Sequence, residues 1–310
     1  MAPVSPTIDT VFIVRHGERI DHCSETWQPD PSHGITDPPL SLLGHRQAEK
    51  TGQHLGYKIQ QNTIQQPIFM IYTSPFQRCI DTSIGIIKGL QSYIDPLYPP
   101  ILRLDLGLGE WMSDQFYDDI SCSGSQFLAR HQEQLARRQA TYYRHLHMKK
   151  QHDTPPSPSY DFHDILPSLT VDYAYHSSRY SDFDFPESYK DMLHRFDQTR
   201  LDCIRQATVN LPSKYQNNPS VIVILVTHGI GVNALLDSFR NTITRPVETP
   251  YCSISSFRYH HPTGQHSTNT THNNVDDDDD DDWLDSNSSK LKQPKWIPDL
   301  IIDASHLSNI

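Results

Sequence analysis

Thr10-Val11-Phe12-Ile13-Val14-Arg15-His16-Gly17-Glu18-Arg19 is the stretch that decides the fold of this chain. Residues Val11 to Val14 are apolar, β-branched or aromatic, and show no polar alternation. That pattern predicts a short strand buried on both faces, as in a parallel sheet covered by helices on either side. The strand delivers a charged, glycine-containing turn at its carboxyl end, where open α/β sheets gather their ligands. Arg15, His16 and Arg19 are therefore the first candidates for a site.

Outward from this strand, helix and strand patterns alternate. Ser41 can cap a helix through Leu42, Leu43, Ala48 and Leu55, and Ile68 to Tyr72 reads as a second strand. Thr73-Ser74-Pro75 is a helix-start signature that places Arg78 in the first turn of a helix with Ile80, Ile84 and Ile87. A third strand, Ile101 to Leu104, leads into Gly107-Leu108-Gly109-Glu110-Trp111, with Glu110 on a loop. Residues 113–185 break this rhythm. They hold a charged helical stretch from about Gln126 to Met148, a Pro/Ser linker from Thr154 to Ser159 and an aromatic-rich loop, which together read as an insertion over the site. A helix follows over Glu187 to Val209, then a buried strand from Val221 to Val226 that ends at Thr227-His228-Gly229. Ile230 to Phe239 is a further helix, and Ser253 to Tyr259 an edge strand. The expected fold is α/β, a doubly wound, mostly parallel sheet with a large insertion over the active site.

The chain has 310 residues, 36% of them hydrophobic, and a mean hydropathy of -0.59, so part of it is expected to lie outside any core. Residues 262–290 are nearly free of apolar side chains and include seven consecutive aspartates, Asp276 to Asp282, too self-repulsive to pack. One folded domain over residues 7–261, a disordered acidic linker over 262–290 and a C-terminal segment over 291–310 are expected. That last segment docks on the domain or on a partner, and the sequence leaves the two open. Setting the aspartate run aside reduces the formal charge from -11 to -4, which offers no basic face for nucleic acid. The run itself could attract a basic partner. Five scattered cysteines without a CxxC pair argue against a disulfide framework and a zinc site, and point to a reducing compartment, cytosol or nucleus. No signal peptide or membrane span is expected from the four-residue apolar run at Val11 to Val14.

The candidate residues suit phosphoryl chemistry. A neutral imidazole at His16 can attack phosphorus and hold the phosphoryl group as a phosphoramidate. Arg15, Arg19 and Arg78 offer planar forks that match phosphate oxygens. His228, following another buried strand, would face the same crevice, and Glu110 could protonate a leaving oxygen once a bound dianion raises its proton affinity. Arg78 at a helix start opposes the macrodipole unless an anion binds there, which favours a functional reading. Taken alone, Glu110 reads equally well as an exposed loop residue. The remaining histidines, among them His145, His147, His152, His260 and His261, match no helical ligand pair with an acidic partner, so neither metal nor cofactor is expected.

These segments resemble the histidine phosphatase superfamily, the phosphoglycerate-mutase-like fold. The resemblance is carried by Val11 to Arg19, Leu40-Ser41-Leu42-Leu43-Gly44 with Gln47-Ala48, Tyr72-Thr73-Ser74-Pro75 with Arg78, Glu110-Trp111, and Val226-Thr227-His228-Gly229. Within that family, Arg15-His16-Gly17-Glu18-Arg19, Cys79 and Glu110-Trp111 look most like the suppressor-of-T-cell-receptor-signalling phosphatases and their insect steroid-phosphate relatives. The resemblance implies His16 as nucleophile, Arg15, Arg19, Arg78 and His228 as phosphate pocket, and Glu110 as the acid or its helper. Phosphotyrosyl proteins or small phosphate esters are then the expected substrates. Two other readings remain in view. One is a non-catalytic interaction subunit on the same fold, as in the RNA polymerase III factor tau. The other is a sugar-phosphate mutase, which Glu18, Arg19 and Ile20 after the glycine disfavour.

Overall fold

The computed structural model of the chain describes residues 7–62, 67–149, 169–209, 211, 215, 220–260 and 296–310. Its strands are β1 (Thr7–Arg15), β2 (Ile68–Thr73), β3 (Ile101–Leu104), β4 (Thr170–Val171), β5 (Ser220–Thr227), β6 (Ile254–Tyr259) and β7 (Trp296–Asp303). Its α-helices are α1 (Leu42–Asn62), α2 (Gln77–Leu90), α3 (Gly124–Lys149), α4 (Tyr189–Val209) and α5 (Gly229–Arg240). The strands form one sheet in the order β4-β3-β2-β5-β1-β6-β7. From β4 to β1 all neighbours are parallel, whereas β6 and β7 are added antiparallel.

The two-residue period of each strand divides the core into two layers. Val11, Ile13, Met70, Tyr72, Val223 and Leu225 meet Met192, Leu193 and Phe196 of α4 and Val232 and Leu235 of α5 on one face. Phe12, Val14, Phe69, Ile71, Ile222 and Ile224 meet Leu55 and Ile59 of α1 and Ile80, Ile84 and Ile87 of α2 on the other. The expected doubly wound, mostly parallel sheet is thus the observed one. Among the described residues, no helix is long and apolar enough to cross a membrane.

Three expectations need correction. Helix α2 begins at Gln77 with Phe76 as N-cap, not at Thr73-Ser74-Pro75. Ser74 Oγ lies 2.9 Å from His228 Nε2 and accepts the amide of Phe76 at 3.4 Å, one residue ahead of the helix. Strand β6 is not an edge: β7, from the C-terminal segment, pairs along it. Trp296 packs edge-on against Phe239 and Tyr259, and this apolar contact draws the segment back onto the sheet. Residues 113–185 also contribute β4 to the sheet beside β3, so the insertion is not wholly outside it. The Pro/Ser linker at 154–159 and the acidic run at 276–282 lie outside the described residues.

The insertion still reaches the carboxyl end of the sheet. Phe127 of α3 packs on Phe76 with ring centroids 4.8 Å apart, and Phe183 packs on both. Phe76 in turn stands edge-on to His228 at 5.1 Å. One aromatic layer therefore separates the insertion from the histidine at the end of β5.

Candidate active site

Backbone hydrogen bonds tie together the segments leaving the parallel strands. His16 N donates to Thr227 O at 2.9 Å, Ser74 N to Val226 O at 3.0 Å, and Asp105 N to Thr73 O at 2.8 Å. This lattice brings His16, Ser74, Arg78, Glu110 and His228 to one end of the sheet. The turn after His16 is fixed by close backbone approach: Cβ atoms at Gly17 and Gly44 would collide with Gly44 O and Glu18 O, respectively. Glu18 holds the same turn to the start of α1. Its carboxylate accepts from Ser41 Oγ at 2.5 Å and its amide donates to Gln47 Oε1 at 2.9 Å.

His16 Nδ1 lies 2.7 Å from Gly17 O, so that nitrogen carries the proton and Nε2 keeps its lone pair. Burial holds the imidazole well below its ordinary pKa, and the charges of Arg78, His228 and Arg15 act in the same direction. His16 is consequently a neutral base near pH 7. His228 stands edge-on to it with ring centroids 5.4 Å apart. Its Nδ1 is 3.2 Å from Glu110 Oε2 and 3.1 Å from Arg78 Nη2, while Nε2 is 2.9 Å from Ser74 Oγ. The tautomer with its proton on Nδ1 donates to Glu110 and accepts the Ser74 hydroxyl. Burial brings the His228 pKa down to about 4, only partly opposed by Glu110.

Arg78 is fully buried and braced on both sides, with Nη2 3.2 Å from Glu110 Oε2 and Nη1 3.4 Å from Asp37 Oδ1. Burial disfavours its charge, but Tyr117, Glu110 and Asp37 outweigh that and hold the guanidinium firmly protonated. Glu110 feels the reverse: burial raises its pKa, but His228 and Arg78 hold the carboxyl well below the usual range. Its side chain remains 19% exposed, at the rim of the cluster. Arg15 donates through Nη1 to Thr249 O and lies 4.2 Å from the Tyr251 ring centroid. The Nε atoms of Arg15 and Arg78 are buried and meet no protein acceptor. Two strong cationic donors without acceptors, beside the first turns of α2 and α5, make an anion-binding arrangement.

The structure thus brings together His16, Arg15, Arg78, His228 and Glu110. Arg19 is turned aside into a bidentate pair with Asp21 at 2.5 and 3.0 Å, although its charge still reaches Arg15. Sequence reasoning missed Asp37, which accepts the Gln77 amide at 3.0 Å, meets His131 Nε2 of the insertion at 3.1 Å and steadies Arg78. It also missed Tyr251, whose ring lies 5.7 Å from that of His16. Neither residue sits at a strand end or in a motif, so no local signal marks it. Among the described residues, no group of three or more His, Cys, Asp or Glu could hold a metal ion.

Residues 11–137 match the model of the histidine phosphatase superfamily (branch 1). The transcription factor tau 55 kDa subunit of Saccharomyces cerevisiae is 35% identical over 105 residues, which cover 34% of this chain and 21% of that protein. Ecdysteroid-phosphate phosphatase of Drosophila melanogaster is 29% identical over 128 residues, or 33% of this chain and 16% of that protein. The matched stretch therefore spans about a fifth or less of either relative. Among solved structures, a mycobacterial glucosyl-3-phosphoglycerate phosphatase superposes with a TM-score of 0.43 at 16% identity, covering 94% of this chain and 97% of that one. The phosphoglycerate mutase of Bacillus anthracis gives 0.43 at 13% identity, covering 99% and 98%. Residues 11–137, which supply Arg15, His16, Arg78 and Glu110, are thus similar to the histidine phosphatase superfamily.

Proposed function

We propose that the protein is a phosphate-monoester hydrolase that works through a phosphohistidine on His16. The observation that carries this reading is the commitment of His16 Nδ1 to Gly17 O, which leaves a neutral Nε2 beside buried guanidinium donors that meet no protein acceptor. Nε2 attacks phosphorus in line, an N–P bond forms and the P–O ester bond breaks. Glu110, protonated once the dianion lies beside it, gives its proton to the leaving oxygen. Water then attacks the phosphohistidine, Glu110 takes a proton from that water, and the N–P bond breaks to release phosphate. Arg15, Arg78 and His228 hold the equatorial oxygens, and preorganised donors of this kind stabilise the charge of the transition state. Phosphotyrosyl proteins and small phosphate esters are the substrates in view.

The decisive experiment is acid-quench trapping with a labelled aryl phosphate, comparing the wild type with His16→Ala. An acid-labile, base-stable label that is lost in the variant is the expected result. No label, together with no steady-state hydrolysis of aryl or phosphotyrosyl substrates at any pH, would remove this reading.

A second reading, an interaction subunit that keeps the fold without turnover, is favoured by the 35% identity to the tau subunit over 105 residues. The clustered His16, Arg78, His228 and Glu110 weigh against it, because a scaffold gains nothing from a buried group of polar side chains that costs desolvation.

A further inference from the structure

Arg195 lies on α4, outside every motif of the site, yet it is 5% exposed and uses all five of its N–H donors. Nη1 donates to Gly107 O at 2.8 Å and Gly109 O at 3.1 Å, and Nη2 donates to Glu110 O at 3.2 Å. The remaining donors form a two-point pair with Glu187, Nε to Oε1 at 2.6 Å and Nη2 to Oε2 at 2.8 Å. Glu187 is bound to the far side of the same loop. Its backbone oxygen accepts from Trp111 Nε1 at 2.9 Å, and its amide donates to Met112 O at 2.7 Å. Glu187 Oε2 also accepts from Met112 N at 3.3 Å, so the loop from Gly107 to Met112 is gripped at three carbonyls by one guanidinium and at three further points by Glu187.

From this geometry we infer that Arg195, locked by Glu187, is the positioning residue that sets the Glu110 carboxyl against His228 and Arg78. The inference rests on the hydrolase reading for its catalytic consequence. Gly107 and Gly109 give this backbone more freedom than other residues would, beyond the 3-10 turn over Leu106–Leu108. A planar fork bound to the carbonyls of Gly107, Gly109 and Glu110 fixes both the distance and the rotation of the backbone that carries the acid. Lysine would keep the charge but lose the fork. Side chains that orient a reacting group typically change its contribution about 10- to 100-fold when altered.

The test compares Arg195→Lys and Glu187→Gln with wild type and Glu110→Gln on two esters, phenyl phosphate and p-nitrophenyl phosphate. Arg195→Lys is expected to fold and to lose about tenfold more kcat/KM on phenyl phosphate, whose leaving group needs the proton, than on p-nitrophenyl phosphate. Glu187→Gln should shift the same ratio less, and it remains informative if Arg195→Lys does not fold. Combining Arg195→Lys with Glu110→Gln should add no further selective loss. Equal losses on both esters, or additive selective losses, would overturn the inference.

A second measurement needs no turnover: calorimetric binding of inorganic phosphate in two buffers of different ionisation enthalpy. Proton uptake by the wild type that is absent in Glu110→Gln and diminished in Arg195→Lys is expected. Unchanged uptake in Arg195→Lys, or none in the wild type, overturns the placement. Should the wild type hydrolyse neither ester, the hydrolase reading falls, and this binding result still decides the role of Arg195.

Discussion

Glu110 Oε2 lies 3.2 Å from His228 Nδ1 and 3.2 Å from Arg78 Nη2, so one carboxylate oxygen bridges the two residues expected to hold a phosphoryl group. The first prediction follows from this bridge. Glu110→Gln keeps the shape but cannot deliver a proton, and kcat should fall by about 10²-fold or more on esters with poor leaving groups, and much less on p-nitrophenyl phosphate. A leaving-group series measured at constant pH checks it, and a uniform fall across the series would argue that Glu110 only binds.

Arg78 contacts Asp37, Glu110 and His228 at once, and a lysine cannot reach all three. Arg78→Lys should therefore raise KM and lower kcat together, with kcat down by about 10²-fold. Arg78→Ala should in addition cost about 3–5 kcal/mol of stability, because it takes the guanidinium away from the carboxylates of both Asp37 and Glu110. Steady-state kinetics and urea unfolding separate the two effects.

The pH dependence has a defined sign. Burial and neighbouring cations hold His16 well below its ordinary value, and burial brings His228 down to about 4. The acid limb of kcat/KM should thus appear below about pH 5, well under the usual histidine range. His306, lowered to about 4 by burial and by its neighbour His54, is depressed in the same way. In the unfolded chain these imidazoles titrate near their ordinary value of about 6.5. Between about pH 6.5 and 4 the unfolded state binds more protons, so stability present at neutral pH is lost as pH falls. The urea midpoint should drop from pH 7 to pH 5, and an equal or higher midpoint at pH 5 would contradict the buried, neutral histidines.

The C-terminal strand supports a prediction about the chain outside the site. Tyr259 of β6 is paired with Trp296 of β7, so the two strands form a hairpin whose connection is residues 260–295. Replacing that connection with a turn of about five residues should preserve activity and add about 1–2 kcal/mol through the smaller closure entropy. Deleting residues 261–310 should instead uncover β6 and lower the thermal midpoint, with aggregation through the new edge. Melting curves and light scattering of the two variants distinguish these outcomes.

How much of this was legible in the sequence depends on how local each cause is. The inner strands β1, β2 and β5 were readable because burial on both faces demands continuous apolar runs, and the helices because their apolar spacing is regular. His16 and His228 were readable because each directly follows such a strand. Asp37 and Arg195 were not, since each acts only through partners distant in sequence, His131 in one case and Gly107 to Glu110 in the other. Strand β7 was obscured by the charged and proline-containing sequence around it, Trp296-Ile297-Pro298-Asp299, and by its separation from β6. Strand β4 has only two residues, too few to carry a period.

The antiparallel order of β6 and β7 also fixes an address on the molecule. Val14 pairs with Ile254 close to His16, whereas Thr10 pairs with Arg258 toward the opposite end of β1, and Trp296 starts there. Both attachment points of the aspartate-bearing connection thus sit at the pole of the sheet away from His16. Four steps of extended β1, from Thr10 to Val14, separate these pairs by roughly 13 Å. A basic molecule drawn to those aspartates would thus be held through a connection anchored at the pole away from His16, not at the pole that carries Arg78 and His228.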